Sequence, residues 1–383
     1  MTARGFYTLL FGVLMLLTAL STGSAGAFLL GTAALLALLL ALLCVLFAFL
    51  TLRIRQESDA GEVARGGRCR YVLTVRQFSP LPVAPLSLRL LLPSGRQSDF
   101  YLETRLLGQT VSENRFLCPH VGVFPVGVKS VRVSDCFALL SFSRSIRNPA
   151  AEVTVLPNPI KTPPLAFSPG SGESSAIERA QSDPTTPTDT RLWQEGDELK
   201  RVHWKLSMRR QQLIVHTYEQ NQRPDALVLM DCAQPDTPPS HRALVIDTLT
   251  ECCAGVVEAL LDAGHAVRMP LSSAATREIG GIGSEALTAM RRELALESFS
   301  APPEFSRVLT LSSRRMHRTG STAILTTRLT PRIADDIIAL SRMGPRTYLY
   351  FVTAATLSAE QEKLLHLLML SGVQAQHVPA ASA

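Results

Sequence analysis

The sequence predicts a membrane-anchored multidomain protein with a two-helix transmembrane hairpin, an antiparallel β-sandwich and a C-terminal α/β domain. Three observations lead to this prediction. Two uncharged apolar runs open the chain, short alternating runs separated by turn residues follow, and strand-like and helix-like runs alternate from residue 223 onward. The 383 residues, of which 46% are hydrophobic, leave room for two soluble domains after the apolar runs.

The transmembrane hairpin is expected within residues 1–55. Residues 6–20 are almost wholly apolar and residues 28–52 contain no charge, and a membrane-spanning helix needs roughly 20 apolar residues. The first run reaches this length if it includes the small and polar residues that follow it. The alternative is a signal peptide followed by a single span.

The basic residues that flank the apolar runs predict the orientation. Arg4 precedes the first run, Arg53 and Arg55 follow the second, and the connection between the runs has no charge. Because basic flanks remain in the cytoplasm, we expect a multi-pass protein of the cell (inner or plasma) membrane with its soluble domains in the cytoplasm. The seven cysteines include no Cys-x-x-Cys pair, which favours free thiols in a reducing compartment.

Residues 57–157 are expected to form the β-sandwich, because short alternating runs recur there between Pro-, Ser- and Gly-containing turns. Residues 158–190 are rich in Pro, Ser, Gly and Thr, which predicts an irregular linker. The strands of the sandwich are expected at residues 70–76, 86–92, 115–118, 129–133 and 152–156.

The segment at residues 191–222 combines turn, charged and aromatic residues at short spacing. Arginines interleaved with carboxylates and tryptophan predict a hydrogen-bonded ion-pair network, which either locks domains together or presents a contact surface. The alternative is a solvated charged face. The candidate residues are Arg191, Trp193, Gly196, Asp197, Lys200, Arg201, His203, Trp204, Lys205, Ser207, Arg209, Tyr218 and Glu219.

These residue types and their spacing closely resemble the signature of domain-of-unknown-function family 58 (DUF58). The resemblance implies a short N-terminal hairpin, a cytoplasmic body and a C-terminal von Willebrand factor A-like, Rossmann-like domain. It also relates residues 123–142 to a family segment with an Asp-Pro-Phe-Gly-Leu-Phe turn. Asp135 and Phe137 are retained there, whereas Cys136 and Ala138 replace the proline and the glycine.

Residues 223–383 are expected to form the α/β domain, with a parallel sheet covered by helices on both faces. Ser358 and Gln361 have the spacing of a capping box that begins the last helix. Residues 280–283 (Gly-Gly-Ile-Gly) are expected to be a loop, because they lack the Lys-Ser/Thr of a phosphate-binding loop.

The family resemblance implies a Mg²⁺ position at the end of the first strand of this domain, where an Asp-x-Ser-x-Ser motif would supply hard oxygen ligands. The chain has Asp231 at this place, but Ala233 and Pro235 replace both serines, and Thr326-Thr327 stands where a Thr-Asp pair is expected. We therefore expect Asp231 to be a degenerate metal-site position, and we expect no metal and no other cofactor. Asp231 is expected to cap a helix or to pair with a basic residue of the signature.

The functional hypothesis is a non-enzymatic, membrane-anchored protein that binds other proteins. The resemblance implies a MoxR-type AAA+ ATPase and a transglutaminase-like membrane protein as partners, in assembly or quality control at the bacterial envelope. The alternative is a hydrolase that uses His203 with Asp197 and Ser207 or Asp231. Anionic lipid or nucleic-acid binding by the basic segment is a third hypothesis. The net charge of +6 is spread along the chain and aromatic residues make up only 6%, so we expect no nucleic-acid partner.

Overall fold

The computed structural model describes residues 2–58, 61–78, 84–103, 107–146, 151–160, 189–194, 202–217, 225–270, 278–299, 305–313, 319–343, 346–354 and 356–380. The linker was predicted at residues 158–190, and residues 161–188 of it lie outside these ranges. Its last two residues are not irregular, because they begin the strand Asp189–Leu192.

Two apolar helices, α1 (Ala3–Thr22) and α2 (Ala25–Thr51), form an antiparallel hairpin. Both are long and apolar enough to cross a membrane, by length and composition. The helices pack closely because glycines line their contact: a Cβ on Gly31 would come within 2.8 Å of Leu16 Cγ. Small residues at such contacts are typical of helix pairs in membranes.

The β domain that follows has two sheets. A three-stranded sheet has the order β1-β3-β6, and a second sheet has the order β2-β9-β7-β4-β5, with β8 also paired to β7. The pairing of β2 with β9 is parallel, which corrects the prediction of a purely antiparallel sandwich. The strands are β1 (Arg53–Ser58), β2 (Glu62–Ala64), β3 (Arg68–Phe78), β4 (Leu86–Leu91), β5 (Gln97–Leu102), β6 (Leu107–Leu117), β7 (Gly122–Ser134), β8 (Ser141–Ser145) and β9 (Ala151–Leu156).

The end of α2 belongs to the core of this β domain. Val45 and Ala48 are fully buried in the same apolar cluster as Tyr71, Leu73 and the inward-facing residues of β4 and β7. β1 begins at residue 53, directly after the helix. The hairpin is therefore fixed rigidly to the β domain, because the helix continues into the sandwich core instead of ending in a flexible linker.

The turn between β7 and β8 ties the start of α1 to the same domain. The buried Asp135 carboxylate accepts backbone hydrogen bonds from Phe137 at 3.1 Å and from Leu140 at 2.7 Å. Ala138 occupies the left-handed region at φ 54°, a conformation that glycine adopts more readily than alanine. The turn nevertheless forms, and the Thr2 hydroxyl at the start of α1 donates to the Ala138 carbonyl at 2.6 Å.

A small unit links the two larger domains. It contains β10 (Asp189–Leu192), the two-turn helix α3 (Trp204–Arg210) and β11 (Ile214–Thr217), and β10 pairs antiparallel with β11.

The C-terminal α/β domain has a six-stranded sheet in the order β14-β13-β12-β15-β16-β17, parallel except for β14. Helices α4 and α5 cover one face, and α6, α7 and α8 cover the other. The elements are β12 (Asp225–Met230), α4 (Pro239–Asp262), β13 (Val267–Pro270), β14 (Glu278–Gly281), α5 (Ser284–Leu296), α6 (Phe305–Ser313), β15 (Thr319–Thr326), α7 (Pro331–Ser341), β16 (Arg346–Thr353), α8 (Ala359–Leu370) and β17 (Gln374–Pro379).

Two local predictions in this domain have different outcomes. The capping box of Ser358 and Gln361 is confirmed at the start of α8. The prediction of a loop at residues 280–283 is wrong for its first half, because Gly280 and Gly281 lie in the edge strand β14 and pair with β13. Gly283, at φ 81°, precedes α5.

Candidate functional site

The β10–α3–β11 unit is held together by polar side chains of the signature. The Ser207 side chain is buried, and its Oγ accepts a hydrogen bond from the Ile214 N–H at 2.9 Å. His203 begins α3, and its Nδ1 accepts from the Leu206 N–H at 3.3 Å. Both polar side chains therefore support the backbone of this unit, a role that helix caps commonly have.

The outer side of α3 is exposed and partly apolar. Trp204 and Met208 lie one turn apart and are 58% and 80% exposed, so that they share one face of the helix. Lys205 and Arg209 are exposed as well. A large exposed aromatic side chain beside cationic groups is characteristic of the energetically important part of a protein interface.

The remaining signature residues are only partly within the described chain. The Arg191 backbone pairs with that of Val215. Trp193 is half-buried, and its backbone N–H donates to the Leu213 carbonyl at 2.8 Å. The following candidates lie outside the described residues: Gly196, Asp197, Lys200, Arg201, Tyr218 and Glu219.

A second polar cluster lies at the carboxyl edge of the six-stranded sheet. Asp231 directly follows β12, and Thr326 ends the neighbouring strand β15. The chain proceeds from β12 towards β13 on one side and returns to β15 on the other, so this is where the strand order reverses. Ligands of open α/β sheets bind in the crevice at this position.

The Asp231 carboxylate is held by groups from two loops. It is 1% exposed, and its Oδ1 accepts a hydrogen bond from the Ala233 N–H at 3.1 Å. The Thr326 hydroxyl donates to its Oδ2 at 3.0 Å. The Arg328 guanidinium approaches with Nε and Nη2 at 3.4 Å, so a side-chain cation neutralises the buried carboxylate. Asp231 thus pairs with a basic residue, but that residue is Arg328 and not one of the signature residues.

The residues at this edge do not fit a magnesium ion. Ala233 and Pro235 offer no side-chain oxygen, and the Arg328 guanidinium lies against the Asp231 carboxylate that would face the ion. Magnesium requires near-octahedral oxygen coordination. Among the described residues, no group of three or more His, Cys, Asp or Glu side chains is placed to hold a metal.

A third polar cluster joins the β domain to helix α4, and the sequence did not reveal it. Asp247 is 1% exposed, and its two carboxylate oxygens lie 2.7 Å from the Val121 N–H and 2.7 Å from His120 Nδ1. The Arg65 Nε is 3.4 Å from Asp247 Oδ2. In the described part of the chain, no hydrogen bond links His120 to a nucleophilic side chain, so this pair joins two domains without forming a catalytic triad.

Glu251 and Gly255 follow Asp247 by about one and two turns of α4, and they continue the contact between this helix and the β domain. The Arg65 Nη1 donates to Glu251 Oε2 at 2.5 Å, and the Ile160 N–H donates to the Glu251 carbonyl at 3.3 Å. A Cβ at Gly255 would overlap the Ile160 carbonyl oxygen. Residues 247, 251 and 255 therefore form one stripe of α4 that faces the β domain.

The pH dependence of stability should change when Arg65 is removed. Burial raises the pKa of Glu251 above its ordinary value of 4.5, and the Arg65 guanidinium opposes this rise. Because the folded state then holds the proton more tightly than the unfolded state, stability is lost as pH rises from about 4.5 through the raised pKa. In Arg65→Ala the opposing charge is absent, so we expect a steeper loss of melting temperature between acidic and mildly basic pH.

The measurement is thermal unfolding of the detergent-solubilised chain across this pH range. Arg96→Ala removes an exposed arginine of the β domain and should leave the pH profile parallel to that of the wild type. The double variant Arg65→Ala/Glu251→Gln should lose the excess pH dependence. A steep profile in the double variant would assign the effect to another group.

Comparison with curated proteins and solved structures adds little to the description of these sites. No curated protein matches the chain. Two solved structures are similar to it at low identity: Cwp6 from Clostridium difficile (8% identity, 86% of this chain, 53% of that chain, TM-score 0.20) and the apo structure of Bacteroides uniformis beta-glucuronidase 3 (7%, 78% and 33%, TM-score 0.18). The chain spans about half and a third of these proteins, and TM-scores this low support no conclusion about fold.

The family comparison covers the signature and most of the α/β domain. Less than half of the 383-residue chain is matched, and the apolar hairpin and the β domain lie outside the match. The resemblance expected from the signature is confirmed for this region: residues 189–364 match the family model described as "Protein of unknown function DUF58".

Proposed function

We propose that the protein is a membrane-anchored, cytoplasmic interaction or scaffold protein without enzymatic activity of its own. Helices α1 and α2 both cross the bilayer, so that the protein is multi-pass and its two soluble domains lie in the cytoplasm. The C-terminal domain is a von Willebrand factor A-like domain whose metal position has been taken over by Arg328. The partner is a MoxR-type AAA+ ATPase, and a transglutaminase-like membrane protein is a second partner, in assembly or quality control at the bacterial envelope.

The observation that carries this proposal is the exposed face of α3. Trp204 and Met208 are exposed on one side of a helix whose other side is fixed by Ser207, and Lys205 and Arg209 flank them. A rigid apolar patch with a cationic border is complementary to a protein surface with an apolar centre and acidic rim. The strand order, with its reversal at Asp231, supports the von Willebrand A-like assignment of the sheet.

The alternative of a hydrolase has less support. His203 Nδ1 and the Ser207 hydroxyl both bind backbone groups, and Asp231 pairs with Arg328 at the sheet edge. A catalytic serine would need its hydroxyl free to meet a general base and a substrate carbonyl. Asp197, the remaining member of the alternative, lies outside the described residues.

The test is recovery of the ATPase with the tagged full-length chain from detergent-solubilised membranes. We expect Trp204→Ala to lower the recovered ATPase at least tenfold, because tryptophans at the centre of interfaces commonly contribute about 2 kcal/mol or more. Tyr101→Ala removes an aromatic side chain of 70% exposure from the β domain and serves as the matched control. Equal recovery with both variants, or no ATPase with the wild type, would contradict the proposal.

A further inference from the structure

A groove lies where helix α2 enters the β domain, on the side of β8. Its lining includes Phe49 near the end of α2, Leu52 directly after the helix, Val131 of β7 and Arg144 of β8. Arg53, two further apolar side chains and a serine complete the lining of this cavity of about 900 Å³. The size is within the range of small-molecule and cofactor sites. No lining residue carries a negative charge.

The groove lies at the level of lipid headgroups if the hairpin spans the bilayer as proposed above. The 20 residues of α2 from Phe28, where its apolar run begins, to Phe47 are about 30 Å long, which equals the hydrocarbon thickness. Phe49 and Leu52 follow Phe47 by roughly 3–8 Å along the helix axis. They therefore lie within the headgroup layer, since it adds about 5–8 Å to each side of the hydrocarbon core.

A second contact fixes the same end of the molecule at this level. The N–H of Thr2, just before α1, donates to the Leu139 carbonyl in the turn between β7 and β8 at 3.2 Å. In the same turn Phe137 is 75% exposed. The turn between β7 and β8 therefore carries an exposed apolar ring beside the beginning of α1.

The side chains of the groove combine two cations with an apolar wall. Phe142 and Arg144 are two residues apart in β8 and therefore point to the same side of the strand. The Phe142 ring lies 6.0 Å from the Phe49 ring of α2, which places Arg144 on the side of the helix. Both Arg53 and Arg144 are exposed. Arginine binds phosphate oxygens with paired N–H donors, and the apolar wall suits the glycerol and the upper acyl chain.

We propose that this groove binds one anionic phospholipid of the cytoplasmic leaflet, with its headgroup phosphate between Arg53 and Arg144. The inference rests on the proposed membrane anchoring, which it extends by naming a specific lipid class and site. The nearby acidic side chain Glu57 is paired with Arg55 at 2.9 Å, so it does not compete for the groove. The bound lipid would fix the angle between hairpin and β domain, because it contacts both.

The test is native mass spectrometry of the detergent-solubilised full-length chain with phosphatidylglycerol or phosphatidylcholine added. We expect one phosphatidylglycerol to be retained, and Arg53→Gln/Arg144→Gln to weaken its retention at least tenfold. The matched control is Arg68→Gln/Arg96→Gln, which removes the same charge from exposed positions of the β domain and should bind as the wild type does.

Three results would overturn the site: equal retention of both lipids, equal loss in the two double variants, or displacement of the lipid by an equal concentration of inorganic phosphate. Carbonate extraction of membranes tests the anchor separately. Release of the chain into the soluble fraction would refute the proposed anchoring. A chain that stays in the membrane while both double variants retain lipid equally would refute only the groove.

Discussion

The substitution Gly255→Ala is expected to destabilise the protein by about 3 kcal/mol, the upper end of the usual cost of overpacking, although the same change stabilises most helices. An unobstructed glycine in a helix interior costs about 1 kcal/mol relative to alanine. At Gly255 the new methyl group would overlap the carbonyl oxygen of Ile160. This oxygen belongs to the backbone, so it cannot move away as the end of a flexible side chain can. The two domains would have to separate along α4, and this would weaken the contacts of Asp247 and Glu251 with the β domain.

Urea unfolding of the detergent-solubilised chain measures this effect. The matched control is Gly26→Ala in α2, where the Ser24 hydroxyl at 3.9 Å is the one atom within 4 Å of the new Cβ among the described residues, apart from the helix backbone and the neighbouring residues. The control should leave the free energy of unfolding unchanged or raise it slightly, whereas Gly255→Ala should lower it. Stabilisation by Gly255→Ala would mean that α4 and the segment at Ile160 are not in contact in solution.

The sequence predicted the elements of the α/β domain better than it predicted their environment. The alternation of short apolar runs and helical patterns was sufficient to predict a sheet covered by helices on both faces, because buried parallel strands are strongly apolar. The antiparallel edge strand β14 was not predicted. The interface stripe of α4 was missed. Asp247 and Glu251 are charged residues four apart, a pattern typical of a solvent-facing side, yet the β domain buries them.

For the candidate sites too, the sequence indicated the residues but not the contacts that they make. For the signature the sequence predicted an ion-pair network, whereas the described residues show Ser207 bound to the Ile214 backbone and β10 paired with β11. Neither contact was predicted, although both join residues within one short segment. The partner of Asp231 was not predictable, although the loss of the serine hydroxyls was visible. Arg328 is 97 residues away in sequence and reaches Asp231 because two parallel strands end side by side. Only the sheet order brings them together.

Removal of the Arg328 side chain provides the second large expected effect. In Arg328→Ala the Asp231 carboxylate, 1% exposed, loses its only cationic partner among the described residues. Breaking a buried ion pair on one side typically costs about 3–5 kcal/mol, because the remaining charge stays desolvated. We therefore expect a lower urea midpoint for Arg328→Ala. Arg342→Ala, which truncates an exposed arginine at the end of α7, should change the midpoint little.

The second substitution Asp231→Asn separates the loss of charge pairing from the loss of packing. An asparagine keeps the hydrogen bond from the Ala233 N–H but needs no cation, so Arg328→Ala/Asp231→Asn should recover most of the stability lost in Arg328→Ala. If the loss came from packing of the arginine side chain, the double variant would be no more stable than the single one. Magnesium should leave the melting temperature of the wild type unchanged, since the guanidinium already neutralises the carboxylate. A rise with magnesium that disappears in Asp231→Asn would show that the cation displaces Arg328, and the α/β domain would then retain a working metal site.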